Sequence, residues 1–491
     1  MVTALTDCPV RYRTFGAFRR IHVKYILLPS LYGRGKGVGL YIMSEVIKKK
    51  PKVISNVRYA CAVGATNTVV AIKGAVPIAN CSPGCQLKTT AMLTFENAFQ
   101  GSIAAGGGNM PSANATENDV VFGGIKTLDN LIKSTLKIYE GDLFVVLTGC
   151  TGELIGDNVP DLVRSYQEAG YPIVYANTPG FKGNNLFGHE EVVNAIIDQF
   201  VGPYKGEKKK GLVNLWFETP YYNQNWRGDY QELARILRGA GLEVNVLFGP
   251  ENPGVEAWKK IPQAQFNLVV SPWVGVRNAE HLQKKYDQPF LHIPEIPVGE
   301  EATAKFIRQV VEYAGIDKAQ SEAFIKQEAE IYYYYLEHFS EFFAEYWYGM
   351  PSEFAITADA AYALAYSKFL ADQIGLIPKR VVITDNTPAK FRPAITEYFK
   401  NNISEGVSID VDFEEDGHEV IKLIESVEFK AGKPLILGTS WELNLSNEKE
   451  ALFFEISTPS SETLVVNRSH IGYRGALQFL ERIYSASVGG K

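Results

Sequence analysis

Short apolar segments alternate with helix-period segments over most of the chain after about residue 50. In the middle of the chain, "DYQELARILRGAG" and "RNAEHLQKKY" have the period of helices, and the segments around them have the length and composition of buried strands: "GLVNLWFE" (211–218), "EVNVLF", "FNLVVS" and "PFLHI". After residue 350 the alternation starts again with "EFAITA", "KRVVITD", "VSIDVDF" and "PLILGTS". This order predicts an α/β fold with mostly parallel sheets covered by helices.

The length of 491 residues exceeds what one hydrophobic core occupies, so we expect three domains. We predict an N-terminal extension over residues 1–50 and αβα domains over 51–205, 206–349 and 350–491. The second domain is expected to end in a long helix over 317–349, closed by Gly349, whose many aromatic residues are expected to pack between domains. The glycine-rich "YGRGKGVGLY" (32–41) lacks Walker A spacing and indicates a loop.

Composition excludes two classes of partner. The formal net charge of -6 argues against a clustered basic face, so nucleic-acid binding is not expected. No apolar run approaches the ~20 residues that cross a bilayer, and the N-terminal segment lacks the apolar core of a signal peptide. We therefore expect a cytoplasmic protein without a membrane partner.

The five cysteines all precede residue 151: Cys8, Cys61, Cys81, Cys85 and Cys150. Their odd number in a long chain argues against a disulfide framework, and zinc would favour paired C-x2-C knuckles or matched histidines, which are missing. Three of them, Cys61, Cys85 and Cys150, adjoin glycine or other small residues that would let an inorganic centre approach the backbone. Spacing alone leaves two interpretations open, an iron–sulfur cluster and buried structural cysteines.

Five segments occur in the order found in nitrogenase component 1 proteins: "SPGC" (82–85), "TENDVVFGG" (116–124), "LTGCTGELIGDN" (147–158), "ANTPGF" (176–181) and "GYRGALQFLERI" (472–483). The chain resembles the β-type subunit of that family and its nitrogenase-like relatives. The resemblance implies three Rossmann-like αβα domains and an α2β2 heterotetramer with a homologous α-type subunit. It also implies an interfacial iron–sulfur cluster, of the eight-iron P-cluster type (8Fe-7S) or a simpler 4Fe-4S type.

In this family three cysteines from each subunit hold the cluster, and Cys61, Cys85 and Cys150 match the β-side ligands. Electrons would pass from an ATP-dependent iron protein to a metal-cluster cofactor in the α-type partner, so no catalytic residue is expected in this chain. Cys8 and Cys81 match no family ligand. For Cys81 two interpretations stay open, a thiol close to the cluster and a buried inert residue.

Two departures from the family pattern lie close to these ligands. The usual His-Gly before "xxGC" is replaced by Asn80-Cys81, and Gly180 stands where a serine often follows "TP". They favour a nitrogenase-like reductase acting on another bond, such as the carbon–sulfur bond of a small thioether in methylthio-alkane reductase, over a dinitrogen-reducing enzyme. A cofactor-assembly scaffold and a metal-free α/β binding protein are the alternatives.

Three other side chains invite chemical interpretations. His470 is expected to be packed or hydrogen-bonded, because no cofactor ligand is needed there in a β-type chain and no cysteine follows Cys150. Glu153 and Asp157 are expected to start a helix and stabilise its N-terminal dipole, in preference to transferring protons.

Overall fold

Three parallel β-sheets follow one another along the chain in the computed structural model, which describes residues 54, 56–100, 110–346, 350–403, 407 and 409–488. The first sheet has the order β1-β2-β3, the second β5-β4-β6-β7 and the third β10-β9-β8-β11-β12, for these strands: β1 (Ala75–Asn80), β2 (Leu143–Thr148), β3 (Ile173–Asn177), β4 (Lys209–Trp216), β5 (Glu243–Val246), β6 (Ala264–Val270), β7 (Phe290–Ile293), β8 (Glu353–Ala358), β9 (Ile377–Ile383), β10 (Val411–Phe413), β11 (Leu435–Gly438) and β12 (Leu452–Glu455). This confirms the predicted α/β fold class.

Helices connect successive strands. They span Thr66–Val70, Pro83–Thr94, Glu117–Phe122, Ile125–Ile138, Cys150–Ile155, Val159–Glu168, Asn185–Ile196, Trp226–Gly239, Val255–Lys259, Val276–Tyr286, Gly299–Ala314, Lys318–Tyr346, Ala360–Lys368, Arg392–Asn401, Gly417–Glu425, Leu443–Glu448 and Gly472–Val488. The central strands β2 and β8 are buried along their whole length, as parallel strands covered on both faces are.

The predicted domain limits near residues 205 and 350 fall between the sheets and stay a prediction. The predicted extension over 1–50, Cys8, the "YGRGKGVGLY" segment and Gly349 lie outside the described residues. Among the helices that the structure describes, none is long and apolar enough to cross a membrane.

The long helix Lys318–Tyr346 agrees with the predicted one at its start. Tyr332 is buried and its ring packs edge-on against Tyr473 of the last helix. Its neighbours Tyr333, Tyr334 and Tyr335 are exposed by about half of their surface, 46, 58 and 56%. The expected interdomain packing therefore fits Tyr332 and is wrong for the three tyrosines that follow it.

Candidate functional site

The carboxyl ends of β1 and β2 bring two of the predicted ligand segments together. Asn80 and Thr148, the last residues of these strands, are paired in the parallel register, and the Gly149 N–H donates to the Asn80 carbonyl at 2.9 Å. Cys150 opens the helix directly after Gly149, and Cys85 lies in the first turn of the helix that follows β1. The carboxyl edge of a parallel sheet is where open α/β folds place their ligands.

A glycine loop after β3 brings the third segment to the same place. Cys61 forms an isolated antiparallel bridge with Asn184, and Gly180 lies between Cys61 and Cys150. A Cβ atom added to Gly180 would lie 2.8 Å from Cys61 Cβ and 3.5 Å from the sulfurs of both Cys61 and Cys150. The Gly180 N–H donates to Cys150 Sγ at 3.0 Å. Any side chain at position 180 would therefore enter the space between the two sulfurs.

Electrostatic coupling connects all three thiols and Cys81. The Cys81 thiol donates a hydrogen bond to Cys85, which lowers the pKa of Cys85 to about 6 and raises that of Cys81. Cys61 is exposed, yet the protein around its thiol displaces enough water to raise its pKa, and Cys85 and Cys150 add to this rise. The structure thus brings together the three residues predicted as ligands.

The donor set fits one half of an iron–sulfur cluster. All four described cysteines are free thiols, and Cys61, Cys85 and Cys150 are each at least partly accessible. Within the described ranges, no group of three or more His, Cys, Asp or Glu side chains is placed to hold a single metal ion. Accessible thiols on separate loops, with a glycine between them, suit a multi-atom cluster whose other ligands come from elsewhere.

Cys81 lies behind this surface. It is 1% exposed, and its sulfur is 3.8 Å from Ser112 Oγ. A Cβ atom on Gly149 would approach Cys81 Cβ to 2.8 Å, so the residue is tightly enclosed. Both interpretations of Cys81 are therefore partly right: it is buried, and it contacts the predicted ligand Cys85.

Comparison with known proteins identifies the family. Residues 60–487 match the family model described as nitrogenase component 1 type oxidoreductase. The chain belongs to this family. It is 23% identical over 466 residues to the nitrogenase molybdenum-iron protein beta chain of Clostridium pasteurianum, covering 89% of this chain and 94% of that protein. It is 24% identical over 384 residues to one of the subunits of the light-independent protochlorophyllide reductase of Angiopteris evecta, covering 74% and 70%.

Solved structures agree with the fold of this component 1 chain. The structure titled "Nitrogenase Cp1 at pH 6.5" superposes with a TM-score of 0.72 at 22% identity, covering 90% of this chain and 94% of that one. Both relatives above are parts of oxidoreductases, and the one from Clostridium pasteurianum is a beta chain, which confirms the β-type assignment.

An ion pair beside Cys150 was not foreseen. Lys182 Nζ lies 2.6 Å from Glu153 Oε1, and this bond lowers the pKa of Glu153. Glu153 lies in the first turn of the helix Cys150–Ile155, as expected, whereas Asp157 lies beyond its end and accepts the Gly124 N–H at 2.9 Å. The dipole role expected for Asp157 is therefore wrong. A contact between residues 29 apart leaves no local pattern that could have indicated it.

The later sheets of this β-type chain offer little room for a second cofactor. His470 is fully buried, with Nδ1 2.7 Å from the Asn225 amide nitrogen and Nε2 2.9 Å from Arg482 Nη1, which confirms the packed, hydrogen-bonded prediction. The crevice lined by Glu218 and Asp359, after β4 and β8, has a volume of about 30 Å³. That is space for one or two water molecules and much less than a metal cluster needs.

Exposed apolar side chains accompany the cysteine segments. Leu87, Leu154 and Phe181 are 73, 77 and 56% exposed and lie within four residues of Cys85, Cys150 and Gly180 respectively along the chain. Val121 and Phe122, in the family segment 116–124, are 70 and 81% exposed. Large apolar groups left open in this number mark a surface that binds another protein.

Proposed function

We propose that this chain is the β-type subunit of a nitrogenase-like reductase and holds half of an interfacial iron–sulfur cluster through Cys61, Cys85 and Cys150. The observation that carries the proposal is the convergence of three free, accessible thiols from distant segments at Gly180. When bound, the cluster would relay electrons from an ATP-dependent iron protein to a metal-cluster cofactor in the α-type partner. Its type would be the eight-iron P-cluster or a 4Fe-4S cluster, within an α2β2 heterotetramer.

The chain's own residues would set the properties of such a centre. The Gly180 N–H already donates to Cys150 Sγ, and the Cys81 thiol donates to Cys85. Hydrogen bonds to ligand sulfur and exclusion of solvent are the means by which proteins tune iron–sulfur potentials. Exposed apolar groups such as Leu154 and Phe181 would exclude water once a partner covers them.

The substrate proposed for the complex is a small thioether, in a reductive carbon–sulfur cleavage of the methylthio-alkane reductase type. Support comes from Gly180, because this position offers no oxygen donor and has no space for one between the two sulfurs. Dinitrogen reduction is the second candidate. It is favoured by the match to the Clostridium pasteurianum beta chain over 94% of that protein.

Cysteine exchange tests the ligand assignment. The full-length chain, purified anaerobically with the α-type subunit that co-elutes, is expected to lose interfacial iron and its electron paramagnetic resonance signal in Cys150→Ala. Cys81→Ala is the matched control, since this buried thiol contacts Cys85 without facing the accessible side. It should keep the iron content of the unmodified complex.

The same measurements can contradict the proposal. Full iron content and full turnover in Cys150→Ala would show that this thiol is not a ligand. Iron loss in Cys81→Ala equal to that in Cys150→Ala would show that the ligand set is wrongly divided. Assay of the intact complex with a thioether and with dinitrogen then decides between the two substrates.

A further inference from the structure

The Lys182–Glu153 ion pair joins two segments that both carry groups of the cluster site. Glu153 belongs to the helix Cys150–Ile155, and Lys182 belongs to the loop of Gly180. We propose that this pair is a positioning device that holds the Gly180 loop on Cys150 and balances the charge beside the cluster. The inference rests on the proposed function, since it concerns the environment of the same centre.

Two bonds link the same helix and loop at neighbouring points. One is the Gly180 N–H to Cys150 Sγ bond at 3.0 Å, and the other is the ion pair at 2.6 Å. The loop is itself closed by the Lys182 N–H, which donates to the Pro179 carbonyl at 3.0 Å. Movement of Lys182 would therefore carry Gly180 with it and lengthen the contact to the Cys150 sulfur.

The pair has little value for global stability. The side chains are 40% and 29% exposed for Lys182 and Glu153, and ion pairs of this exposure contribute about 0–1 kcal/mol. Its effect is therefore expected in local position and local charge. An ammonium and a carboxylate close together present almost no net charge to a redox centre, whereas either one alone would shift its potential.

Single variants should shift the cluster potential in opposite directions. Lys182→Met leaves the Glu153 carboxylate unbalanced, which disfavours the reduced, more negative cluster and moves the midpoint to more negative values. Glu153→Gln leaves the Lys182 ammonium unbalanced and moves the midpoint to more positive values. The double variant should return close to the unmodified midpoint. Redox titration of the intact complex, followed by electron paramagnetic resonance, measures all four proteins, and added salt should reduce both shifts.

The positioning role has a readout without the cluster. In the full-length chain before cluster insertion, either single variant should raise the alkylation rate of Cys150 by iodoacetamide about twofold, because one of the two bonds over its sulfur is lost. Peptide mapping by mass spectrometry measures the rate at Cys150 alone. Lys133→Met, which breaks the exposed Lys133–Asp129 pair on the helix Ile125–Ile138, is the matched control and should leave the rate unchanged.

The outcomes separate this inference from the proposed function. Unchanged midpoints, or shifts of the same sign in Lys182→Met and Glu153→Gln, would overturn charge balancing by the pair. An unchanged alkylation rate in both variants would overturn its positioning role. If Cys150→Ala loses its iron in either case, the ligand assignment stands and only the role of the ion pair is wrong.

Discussion

Two adjacent titratable side chains are buried under the Cys61 segment. Glu190 and His189 lie on the helix Asn185–Ile196, which begins beside the residue that bridges to Cys61. Burial raises the pKa of Glu190 to about 7 and lowers that of His189 to about 3, so the folded protein prefers both in their neutral forms. Their effects on stability have opposite pH dependence and can be separated by substitution.

Glu190→Gln is expected to remove one of these effects. The folded pKa of about 7 exceeds the ordinary value of 4.5, so the carboxyl stabilises the fold fully below about pH 4.5 and loses this contribution as pH rises through about 7. Glutamine keeps the acceptor for the Gly275 N–H, which lies 3.2 Å from Glu190 Oε1. The variant should gain at most about 3 kcal/mol relative to the unmodified protein between pH 5 and pH 9.

Urea unfolding of the two proteins at each pH measures this difference. The contribution of His189 is common to both proteins and cancels. A stability difference that stays constant from pH 5 to pH 9 would contradict the assignment.

At the same scale, only part of the site could be predicted from the sequence. Cys61, Cys85 and Cys150 were identified because they stand in motifs of a known family. Cys81 could not be placed, because its burial depends on packing against Gly149 and Ser112, which lie on other segments. Ion pairs between loops, such as Lys182–Glu153, follow from how the strands bring distant segments together and have no sequence period.

At the scale of elements, strands with uniform burial were the easiest to predict. "EFAITA" coincides with β8 because all six of its residues are buried. The four-residue strand β12, with two residues only partly buried, was not predicted, and β10 forms only at the end of "VSIDVDF". Short strands at the two edges of a sheet gain their order mainly from the neighbouring strand, so their own sequences indicate them weakly.

The Gly180 loop gives an element-scale prediction with an internal control. Gly180→Ala would place a Cβ atom 2.8 Å from Cys61 Cβ, a backbone-anchored atom that cannot rotate away. We expect a loss of about 1–3 kcal/mol in the free energy of unfolding, together with a lower iron content, because the loop must move off the sulfurs. Gly84→Ala lies beside Cys85 within the helix Pro83–Thr94 and meets nothing within 4 Å.

The Gly84 variant should therefore be neutral, or more stable by about 0.5–1 kcal/mol. Chemical denaturation and iron analysis of both proteins make the comparison. Equal behaviour of the two variants would show that close approach at Gly180 is not required.

At the scale of the whole molecule, a buried ion pair ties the start of the cluster region to the third sheet. Arg58, three residues before Cys61, pairs with Glu442 in the helical turn after β11, and both side chains are fully buried. The Arg58 guanidinium also lies 4.8 Å from the ring centroid of Trp441. Glu442 in turn accepts the Thr439 N–H at 2.8 Å. The position of the Cys61 segment thus depends on residues almost 400 positions later in the chain.

This link predicts that the single substitution is worse than the double one. Arg58→Met leaves a buried, unpaired Glu442 carboxylate and should cost about 3–5 kcal/mol. Arg58→Met combined with Glu442→Gln removes that charge while an amide oxygen still accepts the Thr439 N–H, so part of the loss should be recovered. Arg58→Lys keeps the charge and supplies a measurable intermediate if Arg58→Met does not fold. Urea unfolding gives the ranking, and a double variant less stable than Arg58→Met would show that the buried charge is not what makes the single change costly.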